Sequence, residues 1–199
     1  MNILLKMEII VKSKFAWLQD LTYQLYEKLR SNLTGKVVML GVDLDPLLVE
    51  RAANKFSQTD KLEFRVLDIL GAGVTSQLEK YLASQDRTRF DLVSVFSVTM
   101  WVHINHGDQA LEELVRRLVG LARFVLVEPQ PWKCYQTAAR RMRKLGKEEF
   151  PQLKHLKMRG PGVDLQIVQL FKDSGMELVQ DFGESKWSRK LVLLRNTSL

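Results

Sequence analysis

The sequence predicts an α/β fold: a doubly wound, mostly parallel sheet with helices on both faces and an antiparallel strand pair at its C-terminal end. Two observations lead to this prediction. Apolar runs typical of buried strands alternate with segments whose apolar residues recur at helical spacing. The last two runs, within 176–195, have no helical segment between them, which predicts a hairpin at one edge of the sheet.

The first half of the chain provides three strands and two helices. The run KVVMLGVDLD (36–45) is a buried strand ending in acids, and the helix predicted over 46–56 starts with a proline, which suits a first helical turn. The run LEFRVLDIL (62–70) is a second strand ending in an acid, followed by a helix over 75–84. A third strand, FDLVSVFSV, covers 90–98. Parallel strands require this alternation, because each needs a crossover connection.

The second half begins with MWVHINHGD (100–108), which is expected to be a loop whose last residue, Asp108, caps a helix ending near Gly120. One apolar face of this helix is expected to be buried, formed by Leu111, Leu114, Val115 and Leu118. A fourth strand covers 123–130, and a helix over 164–175 ends at a glycine, a common stop signal.

Composition limits the class of protein. With 199 residues, 46% of them hydrophobic and 27% charged, the chain matches one globular domain rather than a disordered or membrane-spanning protein. The N-terminal run MNILLKMEIIVKSK is short and interrupted by Lys6 and Glu8, so we expect no signal peptide. The single cysteine, Cys134, permits no internal disulfide and fits a reducing compartment. We therefore expect a monomeric protein of the cytoplasm or nucleus.

The formal net charge of +7 is concentrated in one segment. Residues 133–159 carry nine of the 30 Lys and Arg residues but only two of the 23 acidic residues, so the rest of the chain is neutral. This favours a polyanionic partner with salt-dependent binding, and the alternative is a solvated helix face. A helix predicted over 136–147 places three apolar residues on its inner face, namely Ala138, Met142 and Leu145. Its opposite face carries a cationic ridge, formed by Arg140, Arg143, Lys144 and Lys147.

The acids at the strand ends predict a nucleoside cofactor. Ligands of doubly wound sheets bind in the crevice beyond the carboxyl ends of the strands, and Asp43 is placed there to accept hydrogen bonds from both hydroxyls of a ribose. Asp68 can accept from an adenine amino group, with Ile69 beside the ring. Asp45 starts the next helix and can be its N-cap instead. Each acid taken alone is more simply a cap or loop residue, and the series favours the cofactor.

Three stretches carry a specific resemblance. SVTMWVHINHGD and VEPQPWKCY follow the third and fourth strands, and ARRMRKLG lies in the basic segment. Together with the C-terminal strand pair, they resemble class I S-adenosylmethionine-dependent methyltransferases, and specifically the Bicoid-interacting family of RNA methyltransferases, which includes the methylphosphate capping enzyme. The similarity runs from about Asp20 to Arg195 and is greatest to the branch that methylates the 5′-monophosphate of RNA.

The resemblance implies S-adenosyl-L-methionine as cofactor and a small RNA with a 5′-monophosphate, such as histidine tRNA or a microRNA precursor, as substrate. Hydrogen-bond donors to the phosphate are then expected from His103, Asn105 and His106. The expected cofactor contacts are Asp43, Leu44, Asp68, Ile69, Phe96 and Ser97. The expected RNA contacts are Trp101, Trp132, Lys133, Arg140, Arg141, Arg143 and Lys144.

Simpler roles stay open for several of these residues. His103 can be a loop histidine bound to the backbone, and Trp101 and Trp132 can be core aromatics. The spacing of His103 and His106 also matches a metal pair, but no third ligand stands at a suitable distance, so we expect no metal. Glu128 follows a strand and precedes a proline, which suits a structural or orienting role.

One part of the family pattern is missing. The family has a glycine-rich turn, D-x-G-C-N-x-G, directly before the segment matched by DLTYQLYEKL (20–29), whereas VKSKFAWLQ stands here and the first glycine is Gly35. We therefore set residues 1–19 apart from a single domain over 20–199. Three explanations are open: a truncated, alternatively spliced or wrongly assembled chain, a divergent enzyme in which ILLKMEIIV rebuilds the first strand, or an inactive paralogue that binds RNA. Methyl transfer to another acceptor, such as protein, is a further alternative.

Overall fold

The computed structural model describes residues 6–9, 17–185 and 187–198, which form one seven-stranded sheet flanked by helices. The strands are β1 (Lys6–Ile9), β2 (Met39–Asp43), β3 (Leu62–Val66), β4 (Phe90–Phe96), β5 (Ala122–Glu128), β6 (Met176–Glu184) and β7 (Lys190–Asn196). The helices are α1 (Trp17–Asn32), α2 (Pro46–Lys55), α3 (Val74–Ala83), α4 (Thr99–Leu121), α5 (Trp132–Lys144) and α6 (Val163–Asp173).

The strand order is β3-β2-β1-β4-β5-β7-β6, and it confirms the predicted fold class. Strands β1 to β5 are parallel, while β7 runs antiparallel to both β5 and β6. The chain winds outward from β1 to β3 and then crosses to the other side of β1 to continue through β4 and β5. The strand order therefore reverses between β1 and β4, and this is where sheets of this kind form a ligand crevice.

The central strand β1 comes from the segment that the sequence set apart. Its first residue, Lys6, pairs with Met39 on β2 and with Leu92 on β4. The structure therefore has a strand, Lys6–Ile9, within the run ILLKMEIIV that was predicted to rebuild the first strand. Residues 10–16, where a turn between β1 and α1 is expected, lie outside the described part of the chain.

Strand β2 is buried at all five positions, as expected for a strand with neighbours on both sides and helices on both faces. Gly41 is required within it, because a Cβ atom there would lie 2.7 Å from the Phe64 ring on β3. The strand is followed by the predicted N-cap: the Asp45 carboxylate accepts a hydrogen bond from the Leu47 amide at 3.0 Å. The local signals in this region were sufficient to place both elements.

The apolar face predicted for α4 forms part of the main core. It consists of Leu111, Leu114, Val115 and Leu118, each with no exposed surface. They pack with residues of β4, β5 and α6, including Phe90 and Phe171. Burying side chains of this size contributes about 1.5–3 kcal/mol each, so this face holds the helix to the sheet.

The prediction that residues 100–108 form a loop is wrong. Helix α4 already begins at Thr99, and Gly107, with φ of 85° and ψ of −179°, divides it into two helical segments. A side chain at Gly107 would be strained in this conformation. Asp108 starts the second segment, but its carboxylate accepts hydrogen bonds from the Lys157 and Met158 amides rather than serving as the predicted cap.

Helix α5 differs from its prediction at both ends. It starts at Trp132, directly after Pro131, and ends at Lys144, so it covers residues 132–144 instead of 136–147. Its inner face is formed by the buried Tyr135 and Ala139, with Ala138 and Met142 half-buried beside them. The inward position predicted for Leu145 is wrong: this residue follows the helix and is 55% exposed.

Two structural features are absent from the described residues. No group of three His, Cys, Asp or Glu side chains lies close enough together to hold a metal ion. None of the helices described above combines the length and the apolar character needed to cross a lipid bilayer.

Candidate functional site

The carboxyl ends of β2, β3, β4 and β5 line the crevice at the point where the strand order reverses. Asp43 ends β2 and is 4% exposed, and its Oδ1 atom accepts a hydrogen bond from the Asp45 amide at 2.8 Å. This bond fixes the carboxylate at the sheet edge. A buried carboxylate in this position is suited to accept hydrogen bonds from a ribose diol.

The remaining residues predicted to contact the cofactor lie on the same edge. Asp68 follows β3, is exposed, and accepts a hydrogen bond from the Leu70 amide at 2.9 Å. Ile69 beside it is only 2% exposed and belongs to the core, so its side chain can form the floor of a pocket but does not project into the crevice. Leu44 is 41% exposed and can cover a ring. These residues thus lie at the same edge of the sheet but differ in how far their side chains are exposed to solvent.

A three-residue network spans the ends of β4, β5 and β7. Arg189 Nη1 donates to Ser97 Oγ at 2.6 Å and to Glu128 Oε2 at 3.0 Å, and Ser97 Oγ lies 3.2 Å from the same carboxylate oxygen. Ser97 adopts a φ of 57°, an uncommon conformation for a residue other than glycine. Phe96, which precedes it, is half-buried. Glu128 thus contacts both the Arg189 guanidinium and the Ser97 hydroxyl, and the structural or orienting role predicted for it stays a prediction.

Hydrogen bonds join the two stretches that carry the resemblance. Gln130, which is 1% exposed, accepts from Thr99 Oγ1 and from the Met100 amide, both at 3.2 Å. This side chain satisfies one of the first amides of α4, which have no partner within the helix. The segments after β4 and β5 therefore form neighbouring walls of the crevice.

His103 is the centre of a buried cluster behind these walls. The side chain has no exposed surface, and its Nδ1 lies 2.9 Å from the Tyr135 hydroxyl while its Nε2 lies 3.2 Å from Asp108 Oδ1. The same carboxylate accepts hydrogen bonds from the Lys157 amide at 2.9 Å and the Met158 amide at 2.8 Å. The cluster therefore fastens the segment after α5 to both α4 and α5.

The chemistry of the partners fixes the protonation of His103. The Asp108 carboxylate only accepts, so Nε2 carries the proton, and Nδ1 then accepts from the Tyr135 hydroxyl. Burial lowers the pKa of His103, and the hydrogen bond and charge of Asp108 oppose this only in part. Burial acts to raise the pKa of Asp108, but hydrogen bonds from the Lys157 and Met158 amides lower it below its usual value. The pair is thus a neutral imidazole beside a carboxylate.

The three residues predicted to donate to a phosphate do not form one group. His103 is buried with both ring nitrogens engaged, so it is not available to a phosphate in this structure. Asn105 Nδ2 donates to the Trp101 carbonyl at 2.7 Å, one turn earlier in α4. Only His106 is exposed. The prediction failed because adjacent positions of a helix point in different directions, whereas a loop had been assumed.

The two tryptophans predicted to contact RNA are half-buried and pack against neighbours. Trp101 meets Phe150 edge-to-face, with ring centroids 6.0 Å apart. Trp132 stacks on Tyr135 at 5.0 Å, and the Arg159 guanidinium lies 5.8 Å from its ring centroid. Both rings support the segment after α5, and Trp132 also borders a cavity.

This cavity has a volume of about 250 Å³ and is lined by Trp132, Gln136, Ala139, Arg140, Arg143, Glu149 and Leu153. Two arginines of the cationic ridge therefore form part of its wall. Arg140 and Lys144 are exposed, as are Lys133 and Arg141 on the same helix. Arg143 Nε lies 3.5 Å from Glu149 Oε1, and Lys154 Nζ lies 3.4 Å from Oε2 of the same carboxylate. The cavity lining therefore carries two cationic side chains and one anionic side chain.

Sequence reasoning missed three residues of the site. Gln130 and Tyr135 lie within a stretch that was singled out, but nothing local indicates that their partners are about thirty residues away in α4. Arg189 lies in the polar connection between the last two strands. The predicted hairpin did not indicate which of its two strands pairs with β5, so it did not place Arg189 at the end of β5.

Comparisons with known proteins agree with the predicted resemblance. Residues 90–196 match the family described as Bicoid-interacting protein 3 (Bin3). The RNA 5′-monophosphate methyltransferase of Bos taurus is 44% identical over 186 residues, covering 88% of this chain and 63% of the relative. The pre-miRNA 5′-monophosphate methyltransferase of Danio rerio is 43% identical over 161 residues, covering 80% and 63%. The chain therefore spans a little under two thirds of the length of these curated relatives.

Solved structures with the same fold are also methyltransferases. The N-methyltransferase NodS from Bradyrhizobium japonicum WM9 is 14% identical and superimposes with a TM-score of 0.55, covering 98% of this chain and 86% of NodS. The methyltransferase CalH, in complex with SAH, is 17% identical with a TM-score of 0.64, covering 96% and 51%. At this identity the likeness concerns the fold, which is that of class I methyltransferases.

Proposed function

Because the chain belongs to the Bicoid-interacting protein 3 (Bin3) family, we propose that it is an S-adenosylmethionine-dependent methyltransferase acting on the 5′-monophosphate of small RNAs. Relatives named for RNA and pre-miRNA 5′-monophosphates support this substrate, and histidine tRNA is proposed beside the microRNA precursors. The observation that carries the proposal is the hydrogen-bonded pair of walls formed by Ser97–Asp108 and Glu128–Tyr135 beside the buried Asp43.

The residues at the crevice fit the proposed cofactor. Asp43 offers the ribose hydroxyls a fixed, buried carboxylate, and Asp68 and Leu44 stand on the adjoining strand ends, where a nucleoside reaches them. Held by these residues, S-adenosyl-L-methionine would supply an electrophilic methyl group for transfer to a phosphate oxygen, with its sulfur as the leaving group.

The protein's own contribution is positioning. A phosphate monoester is already largely dianionic at neutral pH, with a second pKa of about 6, so a strong general base is unnecessary. Holding the two reactants in line and excluding water is the effect that accelerates such a displacement. The hydrogen bond that Gln130 accepts from α4 and the one that Tyr135 donates to His103 make the two walls rigid for this task.

We propose that the part of the RNA beyond its 5′ end binds to the cationic ridge. Arg140, Arg143 and Lys144 follow one another along the exposed side of α5, next to the cavity bordered by Trp132. Contacts from such side chains to phosphates position an RNA without reading its sequence, and recognition then depends on the structure of the RNA end. We further propose that the protein works as a monomer in the cytoplasm and nucleus.

The proposed function is tested by labelled methyl transfer from S-adenosylmethionine to one RNA prepared with a 5′-phosphate and with a 5′-hydroxyl. We expect label only on the phosphorylated RNA, and equal labelling of both would contradict the terminal phosphate as acceptor. Calorimetry with S-adenosylmethionine accompanies the assay. RNA binding without cofactor binding would replace the proposal by that of a non-catalytic RNA-binding protein.

The ridge gives a separate prediction. We expect the double change Arg140→Glu and Lys144→Glu to weaken RNA binding by about 10-fold or more at physiological salt, because two phosphate contacts become repulsive. Cofactor affinity is expected to stay unchanged. Fluorescence anisotropy with labelled RNA over a salt series measures the effect.

The matched control changes the net charge equally at another place. Lys28 on α1 and Lys80 on α3 are exposed, and we expect Lys28→Glu with Lys80→Glu to leave the salt dependence of RNA binding almost unaltered. If both double variants weaken binding to the same degree, total charge rather than the ridge is responsible.

A further inference from the structure

The turn between β6 and β7 brings a cation to the methyl-transfer side of the sheet. Because β7 runs antiparallel to β5, its start lies beside the end of β5, and Arg189 reaches across to Ser97 at the end of β4. The turn is closed by a hydrogen bond from the Ser185 amide to the Arg189 carbonyl at 2.8 Å. Arg189 therefore stands over the strand ends that form the two walls of the crevice.

The guanidinium of Arg189 is held by one nitrogen. Both of its side-chain hydrogen bonds within the described residues, to Ser97 and to Glu128, start from Nη1. Its Nε is buried and has no hydrogen-bond partner among the described residues. A buried donor without an acceptor is costly and rare in native proteins, so Nε indicates a position that an acceptor is meant to fill.

A second unsatisfied polar atom lies in the same turn. Ser185 Oγ is also buried without a hydrogen-bond partner in the described part of the chain. Ser188 in this turn and Ser97 on the facing strand end both have positive φ, 53° and 57°. Unfavourable backbone conformations of this kind persist where the surrounding structure imposes them, and they concentrate at ligand-binding sites.

The free edge of the guanidinium has a defined ligand chemistry. Nε and Nη2 present two parallel N–H groups, which match two oxygens of a phosphate or a carboxylate. Glu128 balances the charge of Arg189, so an oxyanion is bound through directed hydrogen bonds without a large excess of positive charge. This suits a phosphate that must stay anionic to act as a nucleophile.

We infer that the Nε–Nη2 edge of Arg189, together with the Ser185 hydroxyl, binds the terminal 5′-phosphate of the RNA, while Ser97 and Glu128 orient the guanidinium through Nη1. This inference rests on the proposed function. The carboxylate of the cofactor offers the same pair of oxygens, and the experiment below therefore has a separate arm for it.

The test is the ratio of affinities for one small RNA with a 5′-phosphate and with a 5′-hydroxyl, measured by fluorescence anisotropy on the full chain. Arg189→Lys keeps the charge beside Glu128 but lacks the paired N–H edge, and we expect the preference for the phosphate to fall by about 30-fold. Ser185→Ala removes a hydroxyl that bonds to nothing in the described structure, and we expect a fall of about 3-fold. Thermal unfolding verifies that both variants are folded.

Arg195 provides the matched control. It lies on β7, the strand that begins directly after Arg189, is 57% exposed at its side chain and pairs with Glu177. We expect Arg195→Lys to keep the full preference. An undiminished preference in both Arg189→Lys and Ser185→Ala would overturn the inference. So would a loss of affinity for S-adenosylhomocysteine in Arg189→Lys with the preference intact, since Arg189 would then bind the cofactor carboxylate.

The outcomes separate this inference from the proposed function. Methyl transfer to phosphorylated RNA with a preference that does not depend on Arg189 supports the function and refutes the inference. A preference lost in Arg189→Lys, in a protein that transfers no methyl group, supports the inference and refutes the function. A wild-type chain with no preference for the phosphate in binding refutes the inference, and the labelling experiment then decides the function separately.

Discussion

Replacing Asp108 with alanine is expected to lower the free energy of unfolding by about 3 kcal/mol. The change removes the acceptor of three donors at once: the ring N–H of His103 and the amides of Lys157 and Met158. His103 has no exposed surface, so its N–H cannot turn to bulk water as a replacement. The segment after α5 also loses these two hydrogen bonds to α4. Urea denaturation followed by circular dichroism measures the difference.

Two further variants make this expectation specific. Asp108→Asn keeps an acceptor oxygen and should recover part of the lost stability. Glu112 is an exposed acid on the same helix, and Glu112→Ala should change stability by less than about 0.5 kcal/mol. If Asp108→Ala unfolds at the same urea concentration as Glu112→Ala, the cluster contributes nothing to stability and this account of His103 is wrong.

Asp43→Asn is expected to weaken binding of S-adenosylmethionine and S-adenosylhomocysteine by about 10- to 100-fold, as for the loss of a charged acceptor. Asparagine has the same shape and its oxygen can still accept from the Asp45 amide. What changes is the ability of both oxygens to accept from the two hydroxyls of a ribose. Isothermal titration calorimetry measures the affinity directly, without depending on methyl transfer.

The neighbouring acid is the control for this experiment. Asp45 caps α2 through its bond to the Leu47 amide, and asparagine caps a helix as well as aspartate does. Asp45→Asn should therefore leave both stability and cofactor affinity unchanged. Equal affinities in the Asp43 and Asp45 variants would remove Asp43 from the cofactor site.

The fold could be predicted because its signals are local. A strand such as β2 is apolar at nearly every position. The start of α2 is indicated by Asp45 and Pro46, which stand directly before its apolar pattern. The parallel order of the strands then follows from the alternation of strands and helices. The hairpin at the edge follows because no helix separates the last two strands. No contact between distant residues had to be known for any of these steps.

The start of α4 could not be predicted in the same way, because its signal is distant in sequence. Val98 precedes the helix, and its side chain does not cap it. The Met100 amide donates instead to Gln130, which follows β5 in the chain. Gly107 adds a misleading signal, since a glycine followed by Asp108 is typical of a helix start. The residues between Val98 and Gly107 were therefore predicted to form a loop, although they are helical.

The candidate site was predicted at the level of strand ends but not of individual side chains. A histidine between tryptophan and asparagine suggests chemistry, yet His103 is buried, since Tyr135 and Asp108 satisfy both of its nitrogens. Arg189 shows the opposite case. A single arginine in a polar turn is unremarkable in sequence, and only the pairing of β7 with β5 brings it to Ser97.

The central position of β1 has a consequence for how the chain acquires its fold. Lys6 pairs with Met39 and with Leu92, so during synthesis this strand gains its second neighbour only after β4 has left the ribosome. The chain between β1 and β4 must close into a long loop, and this costs conformational entropy before the two strands form their contacts. The cost slows folding. Until β4 pairs with it, the second edge of β1 is unpaired and open to other nascent chains. The pairing of β4 with β1 thus also protects this edge from aggregation.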